Sequence, residues 1–433
     1  MPVIHGPAPS FMYQCLPVVM RVWSYSARRS SNLLSVSTYV KKKFMVGSRS
    51  HSCVRYKVLD KQEDGTRWPS KELGKPEMSS ELKQRKVHAG QVATGSQEPV
   101  EKQKHRRQKK VASRVDRYSC MLSTAFFALL YLGSKVKPEF TSKFTTLQYK
   151  YADVADAYDI GIDDAYMVVT CIVALVMVRS FLLEFVLKPI ALRRFHIQSR
   201  KSQQRYAEQG WSLVYYTFSW VLGFYLYCQS PYFLNCDHIY LGWPHDRLSS
   251  TFKMYYLLQI SSWLQQIVVL NVEERRKDYW QMFAHHIITC LLTLGSYYYY
   301  FTRIGHVILI MMDIVDVFLS SAKMLKYCGF TTACDYMFAV FLVFWVLLRH
   351  IAYNYIFYHA GTKAPGLMSH GQCMASAVQK RCWTPLVIDI FLWLLGGLQV
   401  ITIIWMALII KVLIKILKGG SAEDVRSDED DSD

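Results

Sequence analysis

The 433-residue chain is 52% hydrophobic, 14% aromatic and carries a formal charge of +18. Repeated apolar stretches of about 18 residues or more, all after Arg117, exclude a soluble globular domain. Eleven cysteines without a CxxC pair argue against a zinc site or a disulfide-dense scaffold. Nor does the basic balance point to nucleic acid, because about +15 of the excess falls in residues 1–117, ahead of the first span. A basic segment before a membrane domain reads as an orientation signal and a contact to the lipid surface.

In chain order, residues 1–117 are rich in Ser, Lys, Arg and Gln, and read as a disordered cytosolic region. Arg28, Arg29 and their Ser-rich surroundings faintly resemble a mitochondrial presequence, but no cleavage pattern follows. A short first span, Tyr118 to Gly133, and a lumenal loop make up residues 118–163. Spans are then expected at Ala165–Leu187, Trp211–Cys228, Phe252–Leu270, Trp280–Phe301, Ile304–Ser321, Tyr336–Phe357 and Pro385–Leu417. The fold class is an all-α polytopic membrane bundle of seven or eight transmembrane helices, with its main domain at 164–418. Residues 419–433 form an acidic tail in which Ser427 and Ser432, each followed by Asp, suit an acid-directed kinase.

Lys and Arg in the short loops set the orientation. The loops at 188–210 and 272–279 hold Arg193, Arg194, Arg200, Lys201 and Arg205, and Arg275, Arg276 and Lys277. They are read as cytosolic with 323–335, which puts both termini in the cytosol. Cys236, Cys373 and Cys382 then fall on the lumenal side, where a Cys373–Cys382 bridge can form.

Ionisable groups inside a membrane helix are costly unless they pair, line a cavity or do chemistry. The fifth and sixth spans carry an unusual set. His285 and His286 are adjacent near the cytosolic start of one, and Asp313 and Asp316 lie three apart at mid-depth in the other. Residues at i and i+3 share a helix face, so both carboxylates can point into one cavity and meet the histidines across the hairpin. Neutral imidazole can act as a general base or a nucleophile, with a carboxylate fixing its tautomer. Spacing alone leaves three readings open: catalysis, an ion or proton pathway, and structural pairing. Metal binding is disfavoured, because adjacent residues point about 100° apart on a helix. Arg276 and Lys277 are candidates for the phosphates of CoA, against a plain positive-inside anchor. Arg349 and His350 need partners, with Asp313, Asp316 and Glu184 in view. Tyr297 to Phe301 read as an interfacial aromatic belt. Trp263, Gln265, Gln266, Asn271 and Asn354 read as interhelical bonds.

The stretch from Arg276 to His286, followed by Met312 to Phe318 and Ser321 to Tyr327, resembles the Lag1 motif of ceramide synthases. The surrounding region, roughly Asp164 to Leu417, resembles the TLC domain (TRAM, Lag1 and CLN8 homology) of that family, and is most similar to fungal members. The resemblance implies an endoplasmic reticulum enzyme that joins the acyl group of acyl-CoA to a sphingoid base such as sphinganine or phytosphingosine. His285, His286, Asp313 and Asp316 match the essential positions. No cofactor or metal is implied beyond acyl-CoA as co-substrate. The partners it implies are acyl-CoA, the sphingoid base, membrane lipids, and a second copy or a small single-span subunit. Residues 1–117 have no counterpart in the family, and a homeobox-like insertion of some animal members is absent. A proton-coupled or lipid transporter and a non-catalytic TLC lipid sensor are the competing classes. A dedicated fungal copy giving resistance to sphinganine-like toxins is an alternative within the enzyme class.

Overall fold

The computed structural model describes residues 100–272, 278–373 and 382–418. Nine helices of eight residues or more carry the described chain: α1 Val100–Val136, α2 Pro138–Thr145, α3 Asp164–Arg193, α4 Arg200–Cys228, α5 Ser250–Val272, α6 Tyr279–Tyr298, α7 Thr302–Tyr327, α8 Thr331–Thr362 and α9 Pro385–Leu417. Named β-strands are absent among the described residues, where pairing is confined to three isolated bridges. Punctuation is local. Pro138 and Pro385 open α2 and α9, where a missing N–H costs nothing. Gly329, at φ 81°, turns the chain between α7 and α8.

Helices α3, α5, α6, α9, α8, α7 and α4 follow one another in contact, and α4 returns to α3, closing a ring. Helix α1 lies outside the ring against α3, with nearly all of its apolar stretch, Tyr118–Val136, left uncovered. Among the described residues, five helices are long and apolar enough to cross a membrane: Tyr118–Val136 of α1, together with α3, α7, α8 and α9. The eight expected spans also include α4, α5 and α6, which fall outside that set. These three carry much of the polar side-chain network described below.

Two boundaries differ from the sequence reading. Residues 100–117, expected to be disordered, continue α1 as helix, because Lys, Arg, Gln and Glu are good helix formers once an adjoining span has nucleated the turn. Helix α4 begins at Arg200 and not at Trp211. Its polar first turns bury Tyr206, Ala207 and Glu208 against the basic end of α3. The rest of the 1–117 region, the Arg275–Lys277 run and the acidic tail with Ser427 and Ser432 lie outside the described residues.

At the end away from the basic loops, the connections 146–163 and 229–249 and the described parts of the next, 363–373 and 382–384, fold over the ring. Tyr240, Trp243, Tyr300, Phe301, Met368 and Trp383 are the heart of this cap. Tyr297 to Phe301 are therefore largely not an interfacial belt. Tyr297, Tyr300 and Phe301 are buried, and only Tyr298 is widely exposed. Their hydroxyls find acceptors inside: Tyr297 donates to Asp164 and Tyr300 to Asp159, each at 2.9 Å. Beneath them Lys253 is completely buried, 2.7 Å from Asp164 Oδ1, and donates to the backbone carbonyls of Gln148 and Asp159. The Cys373–Cys382 disulfide is formed in this cap, while Cys236 stays a free thiol.

Candidate active site

Helices α5 to α9 line a narrow, partly open tunnel. His285, Asp316, Arg349, Trp263 and Thr402 line one end, and Tyr240, Phe301, Ala364 and Met368 the other. Between them Leu292, Ile308, Met312, Leu395 and Leu398 make the wall apolar, relieved only by Thr289, Thr293 and Ser296 on α6.

The four expected site residues do not act as two matched pairs. Asp316 faces the tunnel and accepts a hydrogen bond from Arg349 Nη2 at 2.8 Å. Arg349 also donates to the Met312 carbonyl at 3.3 Å and lies 4.4 Å from the centre of the Trp345 ring. It sits in a π-helical stretch of α8, Trp345–Ala352. Such single bulges often accompany functional sites, because the extra residue re-aims the side chains around it. Asp313 turns away from the tunnel, which corrects the expectation of one shared cavity. Its Oδ2 accepts from Ser219 Oγ at 2.6 Å and from Gln259 Nε2 at 2.9 Å. The spacing of three leaves the two side chains about 60° apart around the helix. Because α7 is wedged between α4 and α8, that angle is enough to send one carboxylate to each neighbour.

The histidines diverge in the same way. His286 is buried, with Nδ1 2.6 Å from the Met282 carbonyl and Nε2 3.2 Å from the Gln266 amide oxygen. A neutral imidazole has one N–H, so the Gln266 amide, which can present oxygen or NH2, is the adjustable partner. His285 faces the tunnel, and its buried Nδ1 has no hydrogen-bond partner. Neither histidine hydrogen-bonds an Asp among the described residues; His285 and Asp316 share the tunnel and not a bond. Glu184 pairs with Lys188 on its own helix, so it is not the partner of Arg349. His350 lies 3.0 Å from Gln399 and accepts from the Trp345 indole at 3.2 Å.

The helices that hold this site also hold a further buried histidine, His306, that the sequence reading passed over. His306 on α7 lies 2.8 Å from the Tyr232 hydroxyl and 2.9 Å from the Gly223 carbonyl, tying α4 to α7 below the cap. Ser219, Gln259 and Trp405 were missed as well. A lone Ser, Gln or Trp on an apolar helix carries no spacing pattern, and only the fold brings them to the site.

Chemically, the arrangement sets an imidazole with an unbonded nitrogen beside a carboxylate–guanidinium pair, at the mouth of an apolar tunnel long enough for an alkyl chain. Such an arrangement can hold an apolar chain away from water beside groups able to transfer a proton or an acyl group.

Residues 205–411 match the TRAM, LAG1 and CLN8 family model, described as the TLC domain. A sphingosine N-acyltransferase-like protein of Alternaria alternata is 37% identical over 315 residues, covering 67% of this chain and 72% of the relative. The sphingosine N-acyltransferase lag1 of Schizosaccharomyces pombe is 36% identical over 314 residues, 72% of this chain and 79% of the relative. The ceramide synthase LAG1 of Saccharomyces cerevisiae is 31% identical over 314 residues, 72% of this chain and 74% of the relative. The chain is thus a multi-pass membrane acyltransferase that belongs to the sphingosine N-acyltransferase, or ceramide synthase, family.

Proposed function

We propose that this protein forms ceramide in the endoplasmic reticulum membrane by moving the acyl group of acyl-CoA onto the amine of a sphingoid base. The observation that carries the reading is the shared opening of His285 and the Asp316–Arg349 pair onto one apolar tunnel. His285 takes the acyl group from the thioester or acts as base for the attacking amine. Asp316 with Arg349 sets the charge beside it. His286 and Asp313 hold α5, α4 and the catalytic hairpin in register. Arg276 and Lys277, just before α6 in the sequence, are assigned to the CoA phosphates; Lys277→Ala should raise the KM for acyl-CoA, and an unchanged KM removes that assignment. No metal or cofactor has a part in this scheme, and a second copy or a small single-span subunit would dock on the membrane-facing sides.

The tunnel gives a length. It runs beside α9 from Thr402 to Ile388, about 21 Å at the helical rise of 1.5 Å per residue. An extended alkyl chain advances ~1.2 Å per bond, by analogy with extended backbone, so about sixteen to eighteen carbons fit. The purified protein, given labelled sphinganine and acyl-CoAs of graded length, should form amide with a maximum in that range. A His285→Ala, His286→Ala double variant should form none. Equal product from the double variant would remove the proposal.

A further inference from the structure

Adjacent in sequence, His285 and His286 both meet the Trp263 ring edge-to-face, at 5.4 and 5.7 Å, but differ in their polar partners. His286 has a polar contact at each ring nitrogen. His285 has no hydrogen-bond partner at its buried Nδ1. An imidazole on a flexible two-torsion side chain needs something to select one rotamer. What surrounds it is aromatic. The Trp263 ring from α5 lies 5.4 Å away at 74°, and the Trp405 ring from α9 lies 5.1 Å away at 65°. The His286 ring closes a third side at 5.6 Å and 89°. All three are edge-to-face contacts, the arrangement that ring quadrupoles favour. Both indoles are more than nine-tenths buried. Trp405 is itself backed by Trp345 at 6.4 Å, the ring that carries Arg349.

We propose that Trp263 and Trp405 are positioning residues for acyl transfer. They form an indole clamp from two helices that fixes the His285 imidazole toward the tunnel. The inference rests on the reading of His285 as the reacting group. A hydrogen bond could orient the ring equally well, but it would occupy a nitrogen. Ring-edge contacts orient it and leave both nitrogens available, one to attack or take a proton and the other to share the charge that develops. The clamp also ties the catalytic side chain to α9, which otherwise contributes apolar wall and Thr402.

The test uses full-length protein and steady-state kinetics with palmitoyl-CoA and sphinganine, comparing the Leu and Phe variants at both positions. Misplacing a reacting group by about 1 Å costs about 10²-fold in rate. Trp405→Leu and Trp263→Leu should therefore lose about that much kcat with KM for acyl-CoA moved by less than about threefold. Trp405→Phe and Trp263→Phe, which restore a ring edge, should recover most of the loss. Where a Leu variant does not fold, Trp→Met at the same position, which keeps bulk without a ring, carries the same expectation. Full kcat in the Leu variants would overturn the clamp. Equal loss in Trp405→Phe and Trp405→Leu would also overturn it, and would assign the action to the indole N–H, which is buried without a partner. Activity retained by His285→Ala would instead overturn the underlying reading, so the two failures are told apart.

Discussion

Arg349 shows what one side chain does here. It is 4% exposed, bonded to Asp316 and stacked on Trp345. Breaking a buried ion pair by removing one partner costs about 3–5 kcal/mol, and the partial exposure of Asp316 puts this pair near the lower end. Thermal unfolding of Arg349→Ala should show that loss. The two carboxylates should separate in kinetics. Asp313→Asn keeps an oxygen for Ser219 and Gln259, so activity should fall by about tenfold or less. Asp316→Asn removes the charge beside the reacting group and should cost about 10²-fold or more. Equal losses at the two positions, measured on folded protein, would put Asp313 in the chemistry. His285, His286, Asp313 and Asp316 stood out in the sequence because paired ionisable groups in apolar runs are rare. Their different duties did not. Which neighbour each side chain faces depends on where α7 is wedged, and no periodicity within α7 states that.

At the level of elements, the contact between α4 and α7 depends on Gly223. A β-carbon there would lie 2.7 Å from both Ile310 Cγ2 and the Tyr255 hydroxyl. Gly223→Val should destabilise the protein by about 1–3 kcal/mol and weaken the His306 bond to the Gly223 carbonyl. The check is thermal unfolding. The 229–249 loop should respond to acid through His245. Burial, with the nearby Arg303 guanidinium, pulls His245 down to about 4. The unfolded segment takes up its proton first, near the ordinary value of about 6.5. Loop stability should therefore be full above about pH 6.5 and decline toward pH 4, by up to about 3 kcal/mol at the floor. Hydrogen exchange across that range should follow the decline, and His245→Asn should flatten it. The apolar spans were legible because their runs are long. The first turns of α4 were not, because a polar sequence that packs on a neighbour looks the same as a linker until the neighbour is known.

For the whole molecule, the tunnel floor is the place to alter specificity. Met368, 1% exposed, closes the far end with Ala364 and Tyr240. Met368→Ala should move the acyl optimum up by about two to three carbons, the ~3–4 Å that a side chain of that size vacates at ~1.2 Å per bond. Ala364→Leu should move it down, and the graded acyl-CoA series reads both. An unchanged profile would place the chain elsewhere. The cap holds one further consequence. Lys253, at the start of α5, has its ammonium held by Asp164 of α3 and by two carbonyls of the 146–163 connection. An ammonium is poorly tolerated in lipid until such partners are present. During synthesis, α5 on its own is thus an incomplete membrane segment. It depends on α3 and the connection before it to receive the lysine, and both precede α5 in the chain.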